Sequence, residues 1–291
     1  MRSTPEVPRI RGRVALVTGA AGGIGSHICR ALAREGATLI LSGRNLQALE
    51  ALQDELRSSG TEAAVVTCDL ADPVDRSSLI DRAESVYGPV DLLINNAGIE
   101  LASAFSAMSF DEVESILEVN LHAPMHLCHQ VLPRMHARGR GHVVNIGSLA
   151  AFIRIAYMQT YCASKSGLQG FTGAMRSEYA QTGVSLSFVA CGYVDAGIYE
   201  PIANAGLKVS PLAGISKPET VAKGVVDAVR RDHPEVIVNP TPLRPLIVLG
   251  VIAPRFVARI SRMLKTDAAF RALAAERGRS LTPAGTGTDR A

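Results

Sequence analysis

Short apolar runs alternate with longer amphipathic stretches along most of the chain. The runs are VALVT (14–18), TLILS (38–42), AAVVT (63–67), DLLIN (91–95), HVVNI (142–146), SLSFV (185–189) and EVIVN (235–239). Between them lie segments with helical periodicity, such as 26–35 and 45–58. Continuous apolar runs are typical of strands that are buried on both faces of a parallel sheet. The pattern predicts an α/β fold with seven parallel strands and helices on both sides.

The alternation holds over residues 10–240 without a linker or a repeat, so we expect one doubly wound domain of Rossmann type there. After Asn239 the chain continues as PTPLRPLIVLGVIAPRFVARISRMLK, and we interpret 241–278 as a C-terminal helical extension. Residues 279–291 are expected to form a disordered tail. The apolar run 246–253 is far shorter than the ~20 residues that a membrane-spanning helix needs.

The extension combines apolar helical stretches with Arg244, Arg255, Arg259 and Arg262. Such a segment can cover a partner subunit or lie on a membrane surface as a peripheral contact. We favour the subunit interface.

Composition narrows the classes of function. The 291 residues are 47% hydrophobic and carry a formal net charge of +3, with basic residues scattered along the chain. This argues against a nucleic-acid partner and favours a small ligand. The five cysteines form no CxxC pair, so we expect buried thiols rather than disulfides or a metal site. The first ten residues do not resemble a secretory signal, and a cytoplasmic location is therefore expected.

A glycine-rich segment, TGAAGGIG at 18–25, lies between the first predicted strand and the first predicted helix. In this position Gly19 would permit a tight turn, Gly23 would let a pyrophosphate approach the backbone, and Gly25 would allow close helix packing. The helix N-terminus would present free N–H groups to the anion. The segment predicts a dinucleotide site, and the alternative is a turn without a ligand.

A second segment, YCASK, places Tyr161 and Lys165 four residues apart, on one face of a predicted helix. A cation fixed beside a phenol favours the phenolate and lowers its pKa, which would suit the phenol to proton transfer. The spacing alone arises easily by chance and needs further motifs in support.

Those motifs are present in order along the chain. They are CDL at 68–70, NNAG at 95–98, VNL at 119–121 and IGS at 146–148, with Ser148 thirteen residues before Tyr161. Together with the GxxxGxG spacing of the first turn, they make residues 13–239 resemble the short-chain dehydrogenase/reductase family. Each motif is weak alone, whereas their joint order is specific. The resemblance also implies a homodimer or a homotetramer, the usual assemblies of the family.

The resemblance implies a catalytic set of Asn120, Ser148, Tyr161 and Lys165. Tyr161 would be the acid/base, and Ser148 would hydrogen-bond the substrate oxygen. Lys165 would lower the phenol pKa and hold the nicotinamide ribose. Asn120 would interrupt a long helix and hold a water in a proton relay.

The resemblance also implies a set of cofactor-binding residues spread over the carboxyl ends of the strands. In the family an aspartate, here Asp69, hydrogen-bonds the adenine edge, and the NNAG segment passes close to the adenine ribose. The set comprises Gly19, Ala21, Gly23, Ile24, Gly25, Arg44, Asn45, Asp69, Leu70, Asn96, Ala97, Gly98, Tyr161, Lys165, Gly192 and Val194.

The choice of cofactor depends on the end of the second strand, which reads LSGRN and has no carboxylate to bind a ribose 2′-hydroxyl. The guanidinium of Arg44 can instead hydrogen-bond a 2′-phosphate with its planar fork. We therefore predict NADP(H). The alternative is a solvated arginine at the start of a helix.

One segment departs from the family pattern. Where the family has Pro-Gly-x-Val-x-Thr after the sixth strand, this chain has CGYVDA at 191–196, with Cys191 for the proline and Ala196 for the threonine. The missing hydroxyl puts one nicotinamide carboxamide contact in doubt. Gly192 and Val194 remain, and the backbone N–H of Val194 is a candidate replacement.

The residues expected around the substrate are mostly apolar. They are a mobile flap at 197–216 and a wall at 149–160 that includes Phe152, Ile153, Ile155 and Met158. These residues favour a lipophilic ketone or alcohol, such as a steroid, a retinoid-like compound or a fatty carbonyl compound. The alternative is that they pack the protein interior.

The predicted function is an oxidoreductase that transfers a hydride between NADP(H) and a carbonyl compound or secondary alcohol. A sensor or scaffold that binds NADP(H) without turnover is the alternative, although it would have no reason to keep the complete catalytic set. A nucleotide-sugar epimerase would need a larger C-terminal domain than residues 240–291 can supply.

Overall fold

The computed structural model describes residues 10–196, 204, 214–253, 255, 256, 259, 263 and 268–281. The strands are β1 (Val14–Thr18), β2 (Thr38–Gly43), β3 (Ala63–Thr67), β4 (Leu92–Asn95), β5 (Gly141–Ser148), β6 (Val184–Cys191), β7 (Tyr193–Val194), β8 (Ile215–Ser216) and β9 (Glu235–Val238). Seven of them form a parallel sheet in the order β3-β2-β1-β4-β5-β6-β9. The predicted seven-stranded parallel sheet is confirmed.

The α-helices among the described residues are α1 (Gly25–Arg34), α2 (Leu46–Ser58), α3 (Pro73–Ser77), α4 (Leu79–Tyr87), α5 (Phe110–Leu117), α6 (Ala123–Ala137), α7 (Gln159–Glu178), α8 (Pro218–Arg231), α9 (Arg244–Ile252) and α10 (Ala268–Leu281). Phe105–Ala107 and Leu149–Ala151 are 3₁₀ turns. Glu118–His122 is a π-helical segment that joins α5 to α6.

Each face of the sheet carries its own hydrophobic core. On one face, Ile28 of α1, Leu49 of α2 and Val225 of α8 pack in one buried cluster. On the other face, Ile80 of α4 and Leu127 of α6 belong to a second cluster. Because the strand order reverses between β1 and β4, a crevice opens at the carboxyl ends of these strands. This crevice is where a parallel α/β sheet binds its ligands.

A two-stranded sheet of β7 and β8 was not predicted from the sequence. Tyr193 pairs with Ile215 and Val194 with Ser216, so the two ends of the expected flap are held together. Most of the flap itself, 197–203 and 205–213, lies outside the described residues.

The C-terminal extension contributes α9 and α10. Helix α10 packs on the main domain, because Ala269 and Phe270 are buried in one cluster with Met158 and Tyr161. The helix runs to Leu281, three residues into the expected tail, and 282–291 lie outside the described residues. Over the part of the chain that the structure describes, no helix is both long and apolar enough to cross a membrane. The subunit-interface interpretation of the extension stays a prediction.

Candidate active site

A single cleft of about 1780 Å³ runs along the carboxyl ends of the central strands. All the residues predicted from the sequence to bind a cofactor line this cleft, and so do Ser148 and the apolar wall residues Phe152, Ile153, Ile155 and Met158. The cleft thus brings together residues that are up to 175 positions apart, from Gly19 to Val194. Asn120 lies behind the cleft surface and is fully buried.

The glycine-rich turn has a conformation that only glycine fits easily. Gly19 has a φ of 61°, in the left-handed region that favours glycine. A Cβ on Gly25 would lie 2.1 Å from the carbonyl oxygen of Gly19, so a side chain there would push the start of α1 away from the turn. Both positions support a turn that wraps closely around the N-terminus of α1, whose N–H groups face the cleft.

Thr18 and Asn96 hold this turn against the end of β4. The Asn96 side chain donates hydrogen bonds to the carbonyls of Thr18 at 2.9 Å and Gly19 at 3.1 Å. In return, the Thr18 hydroxyl accepts hydrogen bonds from the backbone N–H groups of Asn96 and Ala97. Asn96 was predicted at the site from the sequence, whereas this role of Thr18 was not. The Thr18 hydroxyl joins residues that are 78 and 79 positions away along the chain.

Three polar residues form the far end of the cleft. Arg44 follows β2 directly and is exposed. Asn45 caps α2, since its side-chain oxygen accepts a hydrogen bond from the N–H of Ala48 at 3.1 Å. Asp69 follows β3, and one of its oxygens accepts a hydrogen bond from the N–H of Ala71 at 3.0 Å. The guanidinium of Arg44 therefore gives a positive charge to the end of the cleft that lies beside β2.

Ser148, Tyr161 and Lys165 meet at the other end of the cleft. Ser148 ends β5, and Tyr161 and Lys165 lie in the first two turns of α7. The hydroxyl of Ser148 lies near enough to the phenol of Tyr161 to lower its pKa. The ammonium of Lys165 lies 5.7 Å from the centre of the Tyr161 ring and donates a hydrogen bond to the carbonyl of Ile146 at 3.0 Å. The predicted convergence of the three side chains is present in the structure.

The sequence predicted that the nearby cation lowers the pKa of the Tyr161 phenol, and for the protein without a ligand this prediction was wrong. Burial, with a further contribution from the carboxylate of Glu100, raises the pKa of Tyr161 far above its ordinary value, and the Ser148 hydroxyl only partly opposes this. Burial also lowers the pKa of Lys165 to about 8, against a smaller opposing effect of Cys191. Tyr161 and Lys165 are both almost fully buried. Desolvation therefore shifts their pKa values more than their proximity to each other does.

Asn120 lies in the π-helical segment, so the predicted interruption of a long helix is present. Its side chain accepts a hydrogen bond from the N–H of Ile99 and donates one to the carbonyl of the same residue, both at 2.8 Å. It also donates to the hydroxyl of Ser164 at 3.2 Å. Asn120 therefore clamps the backbone that follows the NNAG segment, and its part in a water relay stays a prediction.

The segment that departs from the family pattern lies beside the same end of the cleft. A Cβ on Gly192 would lie 2.2 Å from the side-chain oxygen of Asn239, so any larger residue there would require the Asn239 side chain to move. Cys191, Val194 and Ala196 are buried and line the cleft. Asn239 was not singled out from the sequence, because only the fold places it against Gly192.

The C-terminal extension forms part of the cleft wall, which the sequence analysis did not foresee. Its lining residues are Leu243, Leu246, Ile247, Gly250, Val251, Phe270, Leu273 and Arg277. Phe270 is buried and stacks on Tyr193, with ring centres 6.1 Å apart. Arg277 forms an ion pair with Glu112 of α5, which fastens α10 across the site. The wall beside Tyr161 is thus apolar on several sides.

Glu100 is a further residue of the cleft that was not predicted from the sequence. It follows Ile99, lines the cleft, and has a buried carboxyl oxygen, Oε2, without a hydrogen-bond partner. Burial raises the pKa of Glu100 to about 8. A single glutamate after NNAG carries no pattern that would have singled it out.

The described residues contain no cluster of three or more His, Cys, Asp or Glu side chains that could hold a metal ion. All five cysteines are buried free thiols, as the sequence analysis expected for most of them.

Comparison with known proteins decides the family. The sequence profile of the short chain dehydrogenase family matches residues 13–206. The chain belongs to the short-chain dehydrogenase family. This short-chain dehydrogenase is 39% identical over 259 residues to the ketoacyl reductase HetN of Nostoc sp., an alignment that covers 87% of this chain and 89% of HetN.

Solved structures agree with this assignment. A metagenomic short-chain oxidoreductase in complex with NADP is 32% identical, with a TM-score of 0.69, and the match covers 80% of this chain and 99% of that one. An actinorhodin polyketide ketoreductase variant with NADPH is 30% identical, with a TM-score of 0.72, and the match covers 78% and 95% of the two chains. The short-chain dehydrogenase described here is therefore an oxidoreductase of this family.

Proposed function

We propose that this protein is an NADP(H)-dependent reductase of lipophilic ketones, which also oxidises the corresponding secondary alcohols. The observation that carries the proposal is the convergence of the Ser148 and Tyr161 hydroxyls with the Lys165 ammonium at the apolar end of a cleft whose other end carries Arg44.

The shape of the glycine-rich turn supports a dinucleotide. The left-handed Gly19 and the close approach of Gly25 leave the N-terminus of α1 open to the cleft, where its N–H groups can bind a pyrophosphate. Asn96 and Thr18 keep the turn in place through their hydrogen bonds. Both solved relatives described above were obtained with NADP or NADPH.

Arg44 supports the phosphorylated cofactor. It lies at the end of β2, where a carboxylate would repel a 2′-phosphate, and its guanidinium can donate two parallel hydrogen bonds to that phosphate. Asp69 and Leu70 form the adjacent wall and would contact the adenine.

The bound nicotinamide would supply the hydride, and the residues of this chain would position the carbonyl and manage its charge. Tyr161 is protonated at neutral pH because its pKa is raised, so it can give its proton to the developing alkoxide during reduction. Ser148 would hydrogen-bond the same oxygen. Lys165 would hold the nicotinamide ribose, and its positive charge would favour the phenolate that remains after proton transfer.

Apolar surroundings support a lipophilic substrate. Met158 and Phe270 are buried beside Tyr161, and the extension adds further aliphatic side chains around the cleft. Two of the relatives are named as a ketoacyl reductase and a polyketide ketoreductase, and both names point to ketone substrates. A fatty carbonyl compound is therefore our preferred substrate class over a steroid or a retinoid.

The test is a panel of aliphatic, aromatic and cyclic ketones with NADPH or NADH, followed by the loss of cofactor absorbance. We expect turnover with NADPH and a kcat/KM that rises with the apolar area of the ketone. Tight binding of NADPH without turnover of any ketone or alcohol would instead indicate a sensor and would overturn the proposal.

A further inference from the structure

One charged residue of the cleft has no part in the proposed chemistry. Glu100 is partly exposed as a residue because it faces the cleft, yet its Oε2 atom is buried without a hydrogen-bond partner. A buried polar oxygen without a partner is costly, so its presence in an apolar wall calls for a group that satisfies it.

The position of Glu100 is fixed by its neighbours. Ile99 is held on both its N–H and its carbonyl by the Asn120 side chain, so the backbone just before Glu100 is fixed beside the cleft. The Glu100 carboxyl contributes to the raised pKa values of Tyr161 and Tyr193, and all three residues line the same cleft.

We propose that the Glu100 carboxyl hydrogen-bonds a second oxygen atom of the substrate, close to the reacting carbonyl, and so selects ketones that carry a neighbouring oxygen acceptor. This inference rests on the proposed ketone reductase and names a substrate feature for it. The ligand class is a ketone with a nearby ester, thioester or second carbonyl group.

The protonation state of the Glu100 carboxyl decides which groups it can hydrogen-bond. With a pKa of about 8, Glu100 is mostly a neutral acid at neutral pH, which can donate one hydrogen bond through its O–H. An alkoxide forms beside Tyr161 during reduction, and a neutral donor does not repel it whereas a carboxylate would. The other ionisable groups that line the cleft are Arg44, Cys68, Asp69, Arg154, Tyr161, Lys165, Cys191, Tyr193 and Arg277.

The experiment compares two substrates, a 3-oxo ester and the simple ketone of the same chain length. The measured quantity is the ratio of their kcat/KM values with NADPH. The intrinsic reactivity of the ester-bearing ketone contributes equally to the kcat/KM ratio of every variant. A difference in this ratio between variants therefore reports the contact made by the protein.

Glu100→Leu should lower this ratio at least about tenfold, because the ester oxygen of the substrate would lose its water without gaining a hydrogen-bond donor from the protein. Glu100→Gln keeps an N–H donor of similar length and should keep the ratio within about threefold of the original. Leu101→Ala removes a neighbouring apolar side chain of the same cleft and should affect both substrates alike. NADPH binding and the thermal midpoint of each variant establish that it is folded.

The pH dependence gives a second readout. In the original protein the ratio should fall as the pH rises through about 8, because the ionised carboxyl cannot donate. In Glu100→Gln it should be flat. Titration of Lys165 affects the turnover of both substrates and therefore cancels in the ratio.

An unchanged ratio in Glu100→Leu, or a loss in Glu100→Gln as large as in Glu100→Leu, would overturn the inference while leaving the reductase intact. A ketone that carries an ammonium group instead of the ester is the third probe. If Glu100 favours that substrate above pH 8, it binds a cation and the inference is wrong. If the original protein reduces neither ketone, the proposed function itself has failed.

Discussion

The ammonium of Lys165 lies 5.7 Å from the centre of the Tyr161 ring, but its hydrogen bond goes to the carbonyl of Ile146. In the proposed mechanism the lysine would therefore act on the phenol through its charge and not through a direct hydrogen bond to the ring hydroxyl. Burial leaves that phenol protonated, as reduction requires.

Tyr161→Phe should abolish ketone reduction while leaving NADPH bound. The variant loses one hydroxyl and with it the proton donor, which is worth ~10²–10⁴ in rate for a positioned acid. Steady-state turnover and NADPH fluorescence titration check the two parts. Tyr87→Phe, at a partly buried tyrosine of α4 that does not line the cleft, is the matched control. Full turnover in Tyr161→Phe would remove this residue from the mechanism.

Arg44→Asp should reverse the cofactor preference. The carboxylate would repel a 2′-phosphate and accept hydrogen bonds from a ribose hydroxyl. The measurement is kcat/KM for NADPH and NADH with one ketone. Arg34→Asp makes the same charge change at the far end of α1 and should leave the preference as it was. If Arg44→Asp still prefers NADPH, the selecting group lies elsewhere.

Gly25→Ala should greatly weaken nucleotide binding. The added Cβ would lie 2.1 Å from the Gly19 carbonyl oxygen, so the turn or the start of α1 must shift. Isothermal titration with NADPH measures the loss. Gly170→Ala in α7, where a Cβ meets nothing within 4 Å, controls for the general effect of replacing a helical glycine. Unchanged affinity in Gly25→Ala would show that the turn tolerates a wider shape.

Phe270→Ala should open the substrate end of the cleft. Phe270 is buried against Tyr193, and truncation of a fully buried phenylalanine typically costs about 3–5 kcal/mol of stability. The expected result is a several-fold higher KM for a long-chain ketone, with a smaller change for a short one. Phe256→Ala, at an exposed position of the extension, is the control. Equal KM changes for both ketones would argue against a role in substrate selection.

His142 should make the protein less stable in mild acid. It is fully buried and shares a hydrogen bond with Ser187 at 2.8 Å, and burial lowers its pKa to about 4. An unfolded histidine titrates near ~6.5 and so takes up a proton before the folded one does. Stability should therefore fall as the pH drops from about 6.5 towards 4, by at most about 1.4 kcal/mol per pH unit from this residue.

Urea unfolding at pH 7 and pH 5 measures this effect. His142→Gln cannot titrate and should show a smaller difference in unfolding free energy between the two pH values. His129→Gln changes a histidine that is exposed and serves as the control. An identical acid sensitivity in His142→Gln would assign the effect to other groups.

The sequence predicted the sheet well because its strands are continuous apolar runs, such as VALVT and DLLIN, that no helical period explains. It also placed Ser148, Tyr161 and Lys165 together, because their spacing follows from one strand and one helix. The two-residue strands β7 and β8 are too short to produce a pattern.

What the sequence did not predict depends on contacts between distant residues. The raised pKa of Tyr161 comes from burial by several elements, and the exposure of a group cannot be read from its neighbours in sequence. Phe270 reaches Tyr193 across 77 positions, and the helix that carries it was interpreted as a surface for another subunit. The raised pKa of Glu100 likewise comes from burial, which residues next to it in sequence do not reveal.

The position of α10 separates two tasks along the chain. Most of the residues proposed to bind the nucleotide lie in the first half of the sequence, whereas a helix near its end lines the cleft beside Tyr161. Exchange of this helix between homologous enzymes could therefore retune which molecules are accepted while the proton-transfer groups stay untouched. Diversification of such enzymes would then proceed most easily at the C-terminus.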